Sequence, residues 1–197
     1  MKPALVALGA FIGFVGLLGL AYMGIYNGLV SRQEAANSAW AQVQNVYQRR
    51  ADLVPNLVET VKGAAGFEKS TLTAVTDARS RVGSFVVDKK VLEDPEQFKK
   101  FEAAQGELGK ALSRLMAVSE NYPALRATES FRDLQVQLEG TENRISVERR
   151  SFNEAVQDYN VATRRFPASI VASMAGFKQR PYFEADQGAA KAPAVKF

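Results

Sequence analysis

A chain of 197 residues with neither cysteine nor histidine excludes disulfides, thiolate chemistry, and histidine-based metal sites or acid–base catalysis. The net charge of +4 comes from 25 basic and 21 acidic residues that are interleaved rather than clustered, so there is no nucleic-acid footprint. With an N-terminal anchor set aside, the remainder has the size of one domain.

Residues 3–31 carry no charge, and Lys2 and Arg32 bracket them. That run is long enough to cross a hydrocarbon core of ~30 Å. Residues 1–26 are therefore expected to be a transmembrane anchor. A cleaved signal peptide is the rival, with small residues at Gly19-Leu20-Ala21, but apolar character continues through Tyr22, Met23, Ile25 and Tyr26. Gly9 and Gly13 form a GxxxG that Gly16 extends along the same face. Small residues let helix backbones approach, which makes these three candidate contacts between neighbouring copies. Glycine is also simply frequent in membrane helices. Lys2 and the terminal amine, set against Arg32, bias the N-terminus toward the cytoplasm and the rest of the chain to the outside.

Residues 26–66 read as one long amphipathic helix continuing from the anchor. Leu29, Ala36, Trp40, Val43, Tyr47, Val54, Leu57, Val58 and Val61 recur at intervals of three and four. Pro55 cannot donate to the Ala51 carbonyl, so a kink is expected there. A second helix is expected over 68–87, with Leu72, Val75, Val82 and Val86 on one side. Asp94-Pro95-Glu96-Gln97 signals the start of a third, which carries Phe98, Phe101, Leu108, Leu112, Leu115 and Tyr122 until Pro123 stops it. The fourth begins near Thr128 and shows Phe131, Leu134, Leu138, Ile145, Phe152, Val156 and Tyr159 before Phe166-Pro167. No strand pattern is present. The fold expected is all-α: an N-terminal transmembrane helix that continues, over 27–165, into an antiparallel up-down-up-down four-helix bundle with coiled-coil-like packing. Residues 184–197, rich in Ala, Gly, Pro and Lys, are expected to be disordered.

The second and third helices are shorter than the first and fourth. Near the membrane the outer two are therefore expected to run as a pair with apolar surface left uncovered. The short apolar segment 166–183 starts at that place. Its residues Phe166, Ile170, Met174, Phe177, Tyr182 and Phe183 are candidate contacts with lipid or a neighbouring copy, in preference to folding back within the chain.

Arg50 lies in line with the apolar stripe. An antiparallel register sets it level with Glu142, with Tyr47 opposite Ile145 and Trp40 opposite Phe152. Arg50 and Glu142 are expected to form a structural polar contact, a buried pair that fixes register in preference to a ligand pocket. The paired carboxylates, Glu93 with Asp94 and Glu142 with Glu148, do not stand as acid–base couples. A di-metal carboxylate bundle needs Glu-x-x-His motifs that this chain lacks. No phosphate loop or nucleophile elbow occurs. Neither catalysis nor a cofactor nor a metal is expected.

Three stretches resemble signatures of the LemA family. The first comprises Tyr26-Asn27 with Leu29-Val30 and Arg32, Ala39-Trp40-Ala41-Gln42-Val43, and Gln48-Arg49-Arg50-Ala51-Asp52-Leu53-Val54-Pro55-Asn56-Leu57-Val58-Glu59-Thr60-Val61-Lys62-Gly63. The second is Gln137-Leu138-Glu139-Gly140-Thr141-Glu142-Asn143-Arg144-Ile145 with Tyr159-Asn160. The third is Phe166-Pro167 with Phe177-Lys178-Gln179-Arg180-Pro181-Tyr182-Phe183-Glu184. Ala64-Ala65-Gly66-Phe67 departs from the family, which usually shows an aromatic and a histidine there. The resemblance implies a bacterial membrane protein with one N-terminal span, a helical bundle and no catalytic residue. The partners expected are the lipid bilayer, further copies of the chain and a membrane protein, with no nucleic acid. The functional expectation is a single-pass scaffold of the bacterial inner membrane, its bundle on the extracytoplasmic side. The alternative is a lipid-binding module that senses or remodels the bilayer through its C-terminal apolar segment.

Overall fold

The computed structural model describes residues 2–63, 66–85 and 89–184, the side chains of residues 2, 89 and 90 excepted. The expectations placed on Ala64, Ala65, Val86, Val87 and residues 185–197 lie outside these. The described residues form helices α1 (Lys2–Lys62), α2 (Lys69–Gly83), α3 (Pro95–Ser119), α4 (Pro123–Arg126), α5 (Glu129–Arg164) and α6 (Ala168–Ala175), with a short 3-10 turn at Lys89–Leu92. Among them there is no strand. The protein is all-helical.

The apolar run and the amphipathic stripe are one helix. At ~1.5 Å per residue, the 61 residues of α1 extend over ~90 Å. Its first third is long and apolar enough to cross a membrane, with a mean hydropathy of 2.4, and packs against nothing.

Pro55 sits inside α1 without ending it. The Ala51 carbonyl that the proline cannot serve accepts instead from Arg79 Nε of α2 at 2.9 Å. A side chain of the next helix thus replaces the missing N–H. Starts elsewhere are set locally. Asp94 Oδ1 accepts from the Glu96 N–H at 2.9 Å ahead of α3, and Thr128 Oγ1 caps α5 through the Phe131 N–H. Helix α3 ends at Ser119, before the expected Tyr122, and the one-turn α4 follows. Tyr122 instead donates its hydroxyl to the Gly66 carbonyl at 2.8 Å, tying this corner to the link between α1 and α2.

The core has two large parts. Away from the apolar end, Val54, Leu57 and Val61 of α1 pack with Val75 and Val82 of α2, Leu108 and Leu115 of α3, and Phe131 of α5. Toward the apolar end, Trp40, Val43 and Tyr47 pack with Phe98 and Phe101 of α3 and with Phe152 and Val156 of α5. Helices α1 and α5 run antiparallel: Trp40 meets Phe152, and Leu29 lies in the cluster that Ala162 joins. Helix α2 does not reach this lower part.

Its place is taken by the segment after α5, part of which folds back within the chain, against the expectation that 166–183 meets lipid or a second copy in preference to doing so. Val171 and Ala172 of α6 pack on Leu29, and Phe183 enters the lower core. The length mismatch between the helices uncovers apolar surface, and this segment covers part of it.

Loss of the Arg79 contact tests how Pro55 is accommodated. Arg79→Met is expected to lower the unfolding free energy by about 1–2 kcal/mol. The same change should cost markedly less in a Pro55→Ala background, where residue 55 regains its N–H. Equal losses by chemical denaturation in both backgrounds would uncouple the arginine from the proline.

Candidate functional site

Two regions gather the residues singled out by sequence: the segment that folds back on α5, and a polar layer higher in the core. The first begins at Gly176, whose φ of 77° ends α6. A side chain is strained in that left-handed conformation, and glycine is not. The Phe177 N–H reaches back to the Ala172 carbonyl at 2.9 Å. The chain then runs without regular structure alongside α5 to Glu184.

Two asparagines hold it there. Asn160 Nδ2 donates to the Arg180 carbonyl and its Oδ1 accepts from the Arg180 N–H, both at 2.9 Å. Asn153 does the same for Phe183, at 3.0 and 2.9 Å. A primary amide offers one donor face and one acceptor, which match the N–H and C=O of an extended residue. The spacings also agree, since seven helical residues rise ~10.5 Å and three extended ones span ~10 Å. The Tyr159 hydroxyl donates to the Lys178 carbonyl at 2.9 Å. At the upper end Arg149 donates to Glu102 Oε1 of α3 at 2.9 Å and to the Glu184 carbonyl at 3.0 Å. Its guanidinium lies 4.5 Å from the centre of the Phe183 ring, a favourable cation–π approach.

The segment is anchored by what its side chains bury. The Phe183 ring stands 4.9 Å from Phe98, 5.5 Å from Phe152 and 6.1 Å from Trp40, between centroids. Phe183, a candidate lipid or copy contact by sequence, is therefore a core residue. Phe177 is corrected in the same way: it joins the Leu29 cluster and meets the Tyr26 ring edge-on at 5.6 Å. Phe166, Ile170 and Met174 are exposed, Phe166 to 82%. Their spacing of four places them on one face of α6 and its lead-in, opposite the buried Val171 and Ala172. Tyr182 is also exposed. Gly9, Gly13 and Gly16 have open space where a Cβ would stand.

The polar layer centres on Arg50, only 3% exposed. Its Nη1 donates to Glu142 Oε1 at 3.0 Å. Its Nη2 donates to the Gln105 carbonyl at 2.9 Å and also to the Gln105 side-chain oxygen. The Tyr47 ring lies 5.0 Å from the guanidinium carbon. Burial raises the Tyr47 hydroxyl above its usual value, against the pull of Arg149 and Arg50. Burial raises Tyr159 likewise, against Arg180, and it lowers Arg180. The Glu142 side chain is 49% exposed, so the Arg50 pair is half-wet and its worth is well below that of a sealed pair. Glu142 also lines a groove of about 760 Å³ between α3 and α5, with Leu112, Met116, Leu138 and Glu139. Among the described residues no group of three or more acidic side chains is placed to hold a metal ion.

Sequence reasoning missed Asn153 and the double bonding of Asn160. The available signal was two asparagines at a heptad interval, each next to a large aromatic of the buried stripe.

A family model described as "LemA family" matches residues 39–197. The magnetosome protein MamQ of Magnetospirillum gryphiswaldense is 30% identical over 174 residues, covering 80% of this chain and 64% of that protein. The magnetosome protein MamQ 2 of Paramagnetospirillum magneticum is 29% identical over 175 residues, 81% of this chain and 64% of its own. Protein LemA of Metamycoplasma hominis is 24% identical over 177 residues, covering 90% of this chain and 77% of that protein. The match thus spans somewhat less than two thirds of the length of the magnetosome relatives.

Freeing the folded-back segment should unmask the lower core. Asn153→Ala with Asn160→Ala is expected to lower stability by about 2–4 kcal/mol, because the backbone groups of Arg180 and Phe183 lose their partners. The emission of Trp40 should shift to the red as Phe183 leaves it. Emission and stability both unchanged would mean that the asparagines do not hold the segment.

Proposed function

The chain belongs to the LemA family, and on that footing we propose that it is a single-pass scaffold of the bacterial inner membrane. In this reading residues 1–26 span the bilayer. Helices α1, α2, α3 and α5 form an up-down-up-down bundle held outside the cytoplasm, and copies assemble through the membrane helix or present the bundle to a membrane protein. The protein works by holding and positioning, not by catalysis.

The observation that carries the reading is that anchor and bundle share one helix. Residues of α1 that pack against nothing run directly into residues at the centre of the core. A helix transmits position and rotation along its axis, so whatever the apolar end contacts is geometrically linked to the bundle. The four-helix arrangement is supported by the upper core, which draws on all four helices. Assembly is supported by Gly9, Gly13 and Gly16, whose open face admits a second backbone.

A second reading, contact with the lipid interface through α6, is favoured by Phe166, Ile170 and Met174. They form an exposed apolar stripe on α6 and its lead-in, ahead of Phe177, which meets Tyr26 of α1, and aromatic side chains such as Tyr22 and Tyr26 are enriched at the membrane–water boundary.

Gly13→Leu separates the two readings. In the scaffold reading the bulky side chain keeps membrane helices apart, and crosslinking yield in lipid falls severalfold while the bundle unfolds as before. Unchanged yields would remove the glycine face as an interface. Ile170→Asp is expected to loosen α6 from lipid, seen as reduced quenching of a label at position 174 by brominated lipids. Quenching that is indifferent to this change would remove the second reading.

A further inference from the structure

The folded-back segment runs in a defined direction. Arg180 is held level with Asn160, Phe183 with Asn153 and Glu184 with Arg149. The chain therefore climbs α5 toward the start of that helix, about three extended residues to seven helical ones. At Glu184 it lies between α3 and α5, because the arginine that donates to its carbonyl also donates to Glu102 of α3.

Further along the same path lies the groove of about 760 Å³ between α3 and α5, which has no part in the scaffold reading. It extends from Gly109 and Asn143 at the near end to Glu120 and Gln135 at the far end. Leu112 and Leu138 line it and also belong to the upper core. Gly109, Ser113 and Ala117, spaced by four, give its α3 wall small side chains that let a backbone come close. Its charge is acidic, with Glu120, Glu139 and Glu142 set against Arg126. Glu142 serves Arg50, whereas Glu120 and Glu139 form no ion pair among the described residues. Glu139 is steadied by Gln135 Nε2 at 3.0 Å.

The sequence beyond Glu184 suits this path in length and in chemistry. From Glu102 to Glu120 is ~27 Å along α3, and residues 185–192 span ~26 Å when extended. The same count sets Asp186 and Gln187 below the groove and Gly188-Ala189-Ala190-Lys191-Ala192 within it. Apart from the lysine, no side chain in that stretch is larger than a methyl group. Lys191 falls between the level of Glu139 and, across the groove, that of Glu120. A stretch too poor in large side chains to build a core still fits a groove that two helices have already formed.

We propose that residues 185–192 continue the fold-back and occupy the α3–α5 groove of their own chain, with Lys191 facing Glu139 and Glu120. The groove is then a built-in peptide site that takes small side chains and one cation. A second copy's tail offers the same chemistry without the tether. Glu184 is fixed about three extended residues short of the groove, and so short a link gives the chain's own tail an effective concentration in the millimolar range.

The chain has no cysteine, so a pair of introduced ones reports only on each other. Ser113→Cys with Ala189→Cys, in the full chain in nanodiscs loaded with a single copy, should close an intramolecular disulfide under mild oxidation. That bond needs the two Cα atoms within about 7 Å. Asp77→Cys with Ala189→Cys should close about tenfold more slowly. Ser113 and Asp77 are both exposed, so neither change disturbs the core. Lys191→Glu should slow the Ser113 pair about twofold to fivefold, the range of a wet ion pair, and leave the Asp77 pair unaffected. Equal rates for the two pairs would overturn the proposal. So would a disulfide-linked dimer that replaces the intramolecular product when several copies share a disc, which would give the groove to a neighbour's tail. A Ser113 rate indifferent to Lys191→Glu would overturn the placement of the lysine.

Discussion

The structure depends on one constraint: the apolar stripe of α1 must be covered along its whole length outside the anchor. Helix α5, with 36 residues, is the partner long enough to follow it. Helices α2 and α3, with 15 and 25 residues, cannot reach the apolar end. Beside Leu57 and Val61 the cover is therefore helical on every side. Beside Trp40 and Leu29 it is completed by α6 and the segment that follows. Fully burying an aromatic or aliphatic side chain is worth about 1.5–3 kcal/mol, so leaving Trp40 and Phe152 half-wet would be a heavy loss for a domain of this size. That is the physical reason for the fold-back.

The polar layer plays a different part. Arg50 reaches α3 through Gln105 and α5 through Glu142, and Arg149 reaches α3 through Glu102 and the folded-back segment through Glu184. Charges that are partly solvated add little net stability. An apolar stripe alone tolerates sliding by a turn, whereas an arginine with fixed acceptors on two other elements does not. These contacts set register, and burial supplies the stability.

What the sequence disclosed follows the range of the interactions. The cap before α3 was legible in Asp94-Pro95, because a cap is made by residues two or three apart. The approach of Trp40 to Phe152 followed from counting along an antiparallel pair. The fate of 166–183 was not legible. Ile170, Met174, Lys178 and Arg180 have the composition of an interfacial segment, and composition does not say which way a chain turns after a proline. What decides it lies elsewhere, in Asn153 and Asn160, whose partners are backbone groups 30 and 20 positions away. Arg180, in the same segment, lies buried against Tyr159. Pro55 announced that the Ala51 carbonyl would lack its helix donor, but the residue that serves it is 28 positions further on.

The central claim, that each chain covers its own stripe, is tested most directly by hydrogen exchange on the full chain in nanodiscs loaded with a single copy. The backbone N–H groups of Arg180 and Phe183 donate to no helix carbonyl but to the side-chain oxygens of Asn160 and Asn153. The account predicts that both are protected to a degree comparable with the middle of α5, and that protection is independent of copy number. Exchange as fast as in an open chain, or protection that appears only when several copies share a disc, would contradict it.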